Sequence, residues 1–157
     1  MTSDPAPAYD LDHVCLAVRK LGPARAVLER MLGYRVRTEP VENTRQQVIV
    51  QFMSKPGSID IKLIEPSSAE SPLVDFIKRS GGGLHHIAFK SQSVERAVDD
   101  LKGKGAKIVA SPQPGEAFDE ALIAFAFLGA GLNVEVIDTD ARRSEVQVQK
   151  EEQGSNS

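Results

Sequence analysis

An internal repeat limits what this chain can fold into more than any other feature. The run "LDHVCLAV" begins at Leu11 and "LHHIAF" begins at Leu84, and each carries a histidine at its third position. Superposing His13 on His86 sets an offset of 73 residues. The same offset lays "IDIKLIE" (Ile59–Glu65) on "LNVEVID" (Leu132–Asp138), so Lys62 falls on Glu135, and it lays Val36 of "GYRV" on Val109 of "AKIV". Between these anchors "RAV" at Arg25 matches "RAV" at Arg96 with an offset of 71, as a two-residue insertion or deletion would produce. Three spaced matches at one offset mark a duplicated module, and such self-similarity is read before any single segment.

One module therefore describes both. Leu11–Val18 alternates as a half-buried strand does. In "LGPARAVLERMLG" Pro23 suits a first helical turn and Gly33 a helix end, and Ala24, Val27, Leu28 and Met31 are expected on the apolar face. Tyr34–Thr38, Gln47–Met53 and Ile59–Ile64 read as strands, with "KPG" at Lys55 turning the chain between the last two. The order is βαβββ. The second copy repeats it with a strand over Leu84–Phe89 and a helix capped by Ser93 that turns Val94, Ala97, Val98 and Leu101 inward. Its last strands fall at Lys107–Ala110, Leu122–Leu128 and Leu132–Ile137. The predicted organisation is a disordered N-terminus over 1–8, a first module over 9–66, a linker with a short helix over 67–83, a second module over 84–140, and a disordered polar tail over 141–157. Gly81–Gly83 read as turn residues. "SPQPGEAFDE" (Ser111–Glu120) reads as a long polar loop and a candidate lid.

Composition excludes some functions. A net charge of −3 offers no basic surface for nucleic acid. No apolar run approaches the roughly 18 residues of a membrane span. Residues 1–8 lack the basic and apolar regions of a signal peptide. The single cysteine, Cys15, allows no intrachain disulfide, so a cytoplasmic location is expected.

Side chains alternate faces along a strand, so matched positions of two modules paired about a pseudo-twofold axis converge. His13, Lys62, His86 and Glu135 are then expected to point into one shared cavity. Two imidazoles and a carboxylate on rigid strands have the composition of a metal site with open positions. An equally physical reading pairs Lys62 with Glu135 as an ion pair in a metal-free cavity, because a carboxylate in an apolar strand needs a metal, a cation or water. Cys15 shares strand parity with His13 and is expected as a small buried side chain. His85 has the opposite parity from His86 and is expected to point away.

Together, "LDHVCLAV", "LGYRV", "IKLIEP", "GGGLHHIAF" and "LNVEVID" resemble the vicinal oxygen chelate (glyoxalase/bleomycin resistance/dioxygenase) superfamily over Tyr9–Asp138, nearest its methylmalonyl-CoA epimerase branch. The resemblance implies an α+β, glyoxalase-like fold: two tandem βαβββ modules forming a paired, curved mixed β-sheet around a central cavity. It implies metal ligands at His13, His86 and Glu135. At the second of the family's four ligand positions stands Lys62, where epimerases and glyoxalases have Gln or Glu. The implied cofactor is a divalent ion (Co, Zn, Mn, Ni or Fe), or none where the lysine takes the vacated place. The implied activity is that of an isomerase that moves a proton next to a carbonyl through an enolate, with Lys62 and Glu135 catalytic and an acyl-CoA thioester as substrate. The branch places a carboxylate base on a middle strand, but "QQVIVQFM" offers only Gln47 and Gln51. The base then falls to Lys62, Glu135, Glu42 or Glu116. The superfamily also contains Fe(II) dioxygenases, lyases and metal-free binding or resistance proteins. Against an extradiol dioxygenase, Leu122–Val134 contains no Tyr. The resemblance further implies a homodimer.

Overall fold

The computed structural model describes residues 5–146. In chain order the strands are β1 (Asp10–Ala17), β2 (Arg35–Val36), β3 (Val41–Asn43), β4 (Val48–Ser54), β5 (Asp60–Pro66), β6 (Gly83–Lys90), β7 (Lys107–Pro114), β8 (Leu122–Phe127) and β9 (Asn133–Ile137). The helices are α1 (Leu21–Leu32), α2 (Pro72–Ser80) and α3 (Val94–Gly103). All nine strands join one open mixed sheet in the order β2-β4-β5-β1-β6-β9-β8-β7, with β3 on β4. Each module pairs its first and last strands in parallel, β1 with β5 and β6 with β9. The modules meet where β1 runs antiparallel to β6. The fold is the α+β, glyoxalase-like arrangement that the repeat and the resemblance imply.

The two sheet faces carry different cores. On the outer face α1 packs Leu21 and Leu28 over Met53, Ile61 and Leu63, and α3 packs Val94 and Ala97 over Ala124 and Val136. The inner face gathers Cys15, Ala17, Val50, Phe52, Ile123, Ile137 and Phe118 with Leu73 and Ile77 of α2. Helix boundaries follow local chemistry. Ser71 and Ser93 accept the backbone N–H of Leu73 and Arg96 at 3.2 Å each, and Pro72 opens α2. After α2, a Cβ on Gly82 would meet the Ala17 carbonyl oxygen at 2.8 Å, so only glycine lets the chain pass β1 so closely.

Several expectations are corrected. Val27 and Met31 are exposed, because α1 turns the Leu21–Ala24–Leu28 stripe to the sheet instead. The second strand of the first module shrinks to Arg35–Val36; beyond it the Arg37 carbonyl accepts the Val146 N–H at 2.8 Å. The expected lid is half strand: β7 runs to Pro114, and Glu116–Phe118 form a single 3-10 turn that buries Ala117 and Phe118. The tail expected to be disordered begins as packed chain. Arg142 is 4% exposed, and Thr38 bridges Glu145. At the other end Pro5–Ala8 has no regular structure but is held to α3, where Arg96 Nη2 donates to the Pro5 carbonyl at 3.1 Å. The remaining parts of the 1–8 and 141–157 expectations lie outside the described residues. Among the described residues, no helix is long and apolar enough to cross a membrane.

Candidate functional site

The repeat explains how four polar side chains come to one point. Along the central ladders Cys15 pairs with Lys62 on one side and with His86 on the other, while Ala88 pairs with His13 and Glu135. Cys15 and Ala88 are themselves 73 residues apart. Both are small, and that leaves room above the two middle strands for the longer neighbours to lean together.

Glu135 sits at the centre with no exposure. Its Oε1 lies 3.0 Å from His13 Nε2 and 3.4 Å from His86 Nε2. Lys62 Nζ donates to both carboxylate oxygens at 3.4 Å. His13, Lys62 and His86 are all buried. Burial alone would raise the Glu135 carboxyl, but the Lys62 charge, and then His13 and His86, hold it well below the usual carboxylate range. Burial pushes His86 the other way, down to about 4. The four residues named from the sequence are therefore brought together.

Behind this cluster stands a layer the sequence reading missed. Asp12 Oδ2 accepts from His13 Nδ1 at 2.6 Å and from Arg142 Nη2 at 2.5 Å. The Arg142 guanidinium lies between two aromatic faces, 4.6 Å from the Phe52 ring centroid and 4.9 Å from that of Phe118. Burial works against the Asp12 carboxylate, yet the His13 hydrogen bond and the Arg142 charge lower it below its ordinary range. Phe118 also stacks on His13 at 6.0 Å between centroids.

His85 is the second miss. It lines the cavity instead of pointing away. The β1–β6 register slips between Cys15 and Leu16, which leaves His85 unpaired in a bulge, and a bulge re-aims its side chain. Its Nδ1 faces His86 Nδ1 at 2.8 Å. The register slips again between Leu11 and His13, which leaves Asp12 in the matching position. Asp12 and His85 are 73 residues apart, so the repeat itself carried the signal: each cluster histidine is preceded by a bulge residue that reaches its Nδ1.

Beside the cluster opens a cavity of about 610 Å³. Lys62, His85 and His86 reach it, Ile64, Leu73 and Phe125 supply apolar wall, and Arg45 and Gln113 add polar groups. Glu135 and His13 do not line it. The inner-face positions of β4 are Val48, Val50 and Phe52, which removes a proton acceptor from that strand. Glu116 is occupied elsewhere, accepting from Thr44 N at 2.9 Å and Thr44 Oγ1 at 2.7 Å. Glu42 is exposed on β3. Among the described residues no carboxylate lines the cavity.

His13, His86 and Glu135 have ligand atoms within 4.8 Å of one another, a grouping with metal-ligand spacing. Two features suit a metal: Asp12 backs His13 as a carboxylate backs many ligating histidines, and His86 Nε2 has no aligned hydrogen bond. The Lys62 ammonium opposes it. It has no lone pair to give, and it engages both oxygens of the carboxylate a metal would need. Two unit charges ~4 Å apart repel by about 4 kcal/mol at an effective dielectric of ~20, and a divalent ion doubles that. The set fits an ammonium and does not fit a divalent ion.

The comparisons with known proteins agree with this architecture. Residues 12–127 match the Glyoxalase/Bleomycin resistance protein/Dioxygenase superfamily. An uncharacterised protein of Bacillus subtilis, YqjC, is 36% identical over 100 residues, 63% of this chain and 69% of that one. The ethylmalonyl-CoA/methylmalonyl-CoA epimerase of Cereibacter sphaeroides is 33% identical over 105 residues, 66% of this chain and 77% of that one. A methylmalonyl-CoA epimerase solved with methylmalonyl-CoA and NH4+ superposes with a TM-score of 0.74 at 24% identity, covering 87% of this chain and 98% of that one. With the duplicated βαβββ sheet and its four matched inward positions, these likenesses show that the chain belongs to the Glyoxalase/Bleomycin resistance protein/Dioxygenase superfamily.

Proposed function

We propose that this chain is an isomerase that exchanges the proton next to the carbonyl of an acyl-CoA thioester, with the Lys62 ammonium as its electrophile in place of a metal. One observation carries the reading: a lysine anchored by a fully buried carboxylate reaches a cavity beside an imidazole pair. The thioester oxygen accepts a hydrogen bond from Lys62 Nζ. The adjacent C–H bond breaks, its proton passes to His85 Nε2, and its electrons move to the oxygen as an enolate held against the ammonium. A proton from solvent entering the open cavity reaches the other face of the carbon and inverts it, and His85 returns the proton it took to solvent. With Nε2 of His86 protonated towards Glu135, His86 Nδ1 accepts from His85 Nδ1, and His85 Nε2 keeps its lone pair. Lys62 touches the reacting atoms; Glu135, which does not line the cavity, positions Lys62. An aligned donor at a developing oxyanion is worth about 10²–10³ in rate, and a general base a similar factor. The epimerase solved with methylmalonyl-CoA and NH4+ suits the reading, since there too an ammonium accompanies this substrate.

The test is deuterium exchange into methylmalonyl-CoA in heavy water. The wild type exchanges, Lys62→Met loses about 100-fold or more, and Lys62→Arg retains part. Absence of exchange by the wild type with any malonyl-type thioester overturns the reading. A second reading, a protein that binds such a ligand without turning it over, is favoured by the lack of a cavity carboxylate among the described residues. Tight acyl-CoA binding without exchange selects it.

A further inference from the structure

The duplicated positions differ in one respect that the proton-transfer reading does not use. Where the second module has Ala88, the first has Cys15, fully buried and the chain's single cysteine. Cys15 is the direct ladder partner of His86. The bulge beside it turns His85 to the same place, and the two Nδ1 atoms face each other at 2.8 Å. Ligand atoms of Cys15, His85 and His86 lie within 4.8 Å of one another.

We propose that Cys15, His85 and His86 form a soft-metal site, distinct from the His13–His86–Glu135 grouping but sharing His86 with it, that takes Zn2+ through one thiolate and two imidazoles. A tetrahedral zinc with Zn–S of about 2.3 Å and Zn–N of about 2.0–2.1 Å needs donors roughly 3.3–3.6 Å apart. The present separations reach that with side-chain shifts of about 1 Å. The donor types suit zinc or another soft cation and not a hard one. The fourth corner is left to the cavity of about 610 Å³ that His85 and His86 line, so the ion has a route in and an open position. Charge separates this site from the other grouping. An ion on Glu135 displaces Lys62 from its one buried counter-charge among the described residues. An ion on Cys15 brings its own thiolate and leaves the Lys62–Glu135 pair intact. The proton balance is simple: Cys15 releases one proton, and His85 gives up its Nδ1 proton and takes one at Nε2 from cavity solvent, with no net change.

Anaerobic titration of the full chain with Co2+, followed by optical spectroscopy, tests this. A thiolate-to-cobalt charge-transfer band can arise only from Cys15. The expected result is one Co2+ per chain with that band and one proton released on uptake, displaced by Zn2+ without further proton release, absent in Cys15→Ser, and requiring at least about tenfold more Co2+ in His85→Gln. No cobalt uptake, uptake without the band, or a band that persists in Cys15→Ser overturns the site. Zinc takes the two imidazoles that the isomerase reading uses, so the loaded chain should not exchange deuterium; the cobalt band reads the site, and exchange by metal-free protein reads the isomerase, so either can fail without the other.

Discussion

The two modules contribute equally placed histidines and treat them differently. His13 is fastened at Nδ1 by a carboxylate, itself held by a guanidinium lying between two phenylalanine rings. His86 is met at Nδ1 by another imidazole and has no aligned partner at Nε2. His13 lies away from the cavity and His86 lines it. Duplication fixed the positions, and what stands one residue earlier sets the difference: Asp12 fastens one histidine in the interior, and His85 stands beside the other at the cavity wall. The same division holds one strand out, where the first module supplies the cation and the second the buried anion that holds it.

The comparison breaks most severely if the cation is removed. Lys62→Met leaves Glu135 charged and buried with its cation gone and only His13 and His86 beside it, and is expected to cost about 3–5 kcal/mol in urea unfolding; Lys62→Met with Glu135→Leu recovers most of it. Next comes acid. His86 titrates at about 4 when folded against an ordinary 6.5, so the unfolded chain takes up the proton first. Its contribution is complete above pH ~6.5 and is lost as pH falls towards ~4, at up to about 1.4 kcal/mol per unit. Denaturation curves at several pH values should show this fall, with a shallower slope in His86→Gln. Asp12 and Glu135, both lowered on folding, add their losses below the ordinary carboxylate range.

The supporting half answers to smaller changes. Asp12→Asn weakens the hold on His13 and leaves Arg142 without its nearest anion, and a loss of about 1–3 kcal/mol is expected in thermal or urea unfolding. In deuterium exchange the same variant should lower kcat more than it raises KM, since Asp12 positions and does not touch substrate. The smallest effect is expected at exposed Glu145, which accepts from Arg37 Nη2 at 2.7 Å; Glu145→Ala leaves Arg37 its pair with Asp60, and should cost no more than about 1 kcal/mol and chiefly raise amide exchange at residue 145 and Val146.

The repeat made the sheet and the four inward positions legible, because an offset needs no knowledge of packing. What it hid was local. Strand parity failed at His85 because a bulge breaks the two-residue period, and nothing in a single run of "LHHIAF" marks a bulge. Asp12 was legible only as the partner of His85 in the repeat. Arg142 was not legible at all: it lies in a charged, poorly apolar segment whose composition resembles disorder, and its burial depends on two phenylalanines far away in sequence. Phe118 was masked in the same way by the prolines and acids around it. The replacement at Lys62 was visible from the start, but whether a cation or a metal completes the site depends on where Nζ lies.

The central claim is that Lys62, steadied by Glu135, is the cation against which the thioester oxygen rests. The most direct measurement is deuterium exchange into methylmalonyl-CoA by wild-type protein after exhaustive chelation, beside the same protein given back divalent metals. The account predicts undiminished exchange without metal and its collapse in Lys62→Met. Exchange that vanishes on chelation and returns with a divalent ion would contradict it.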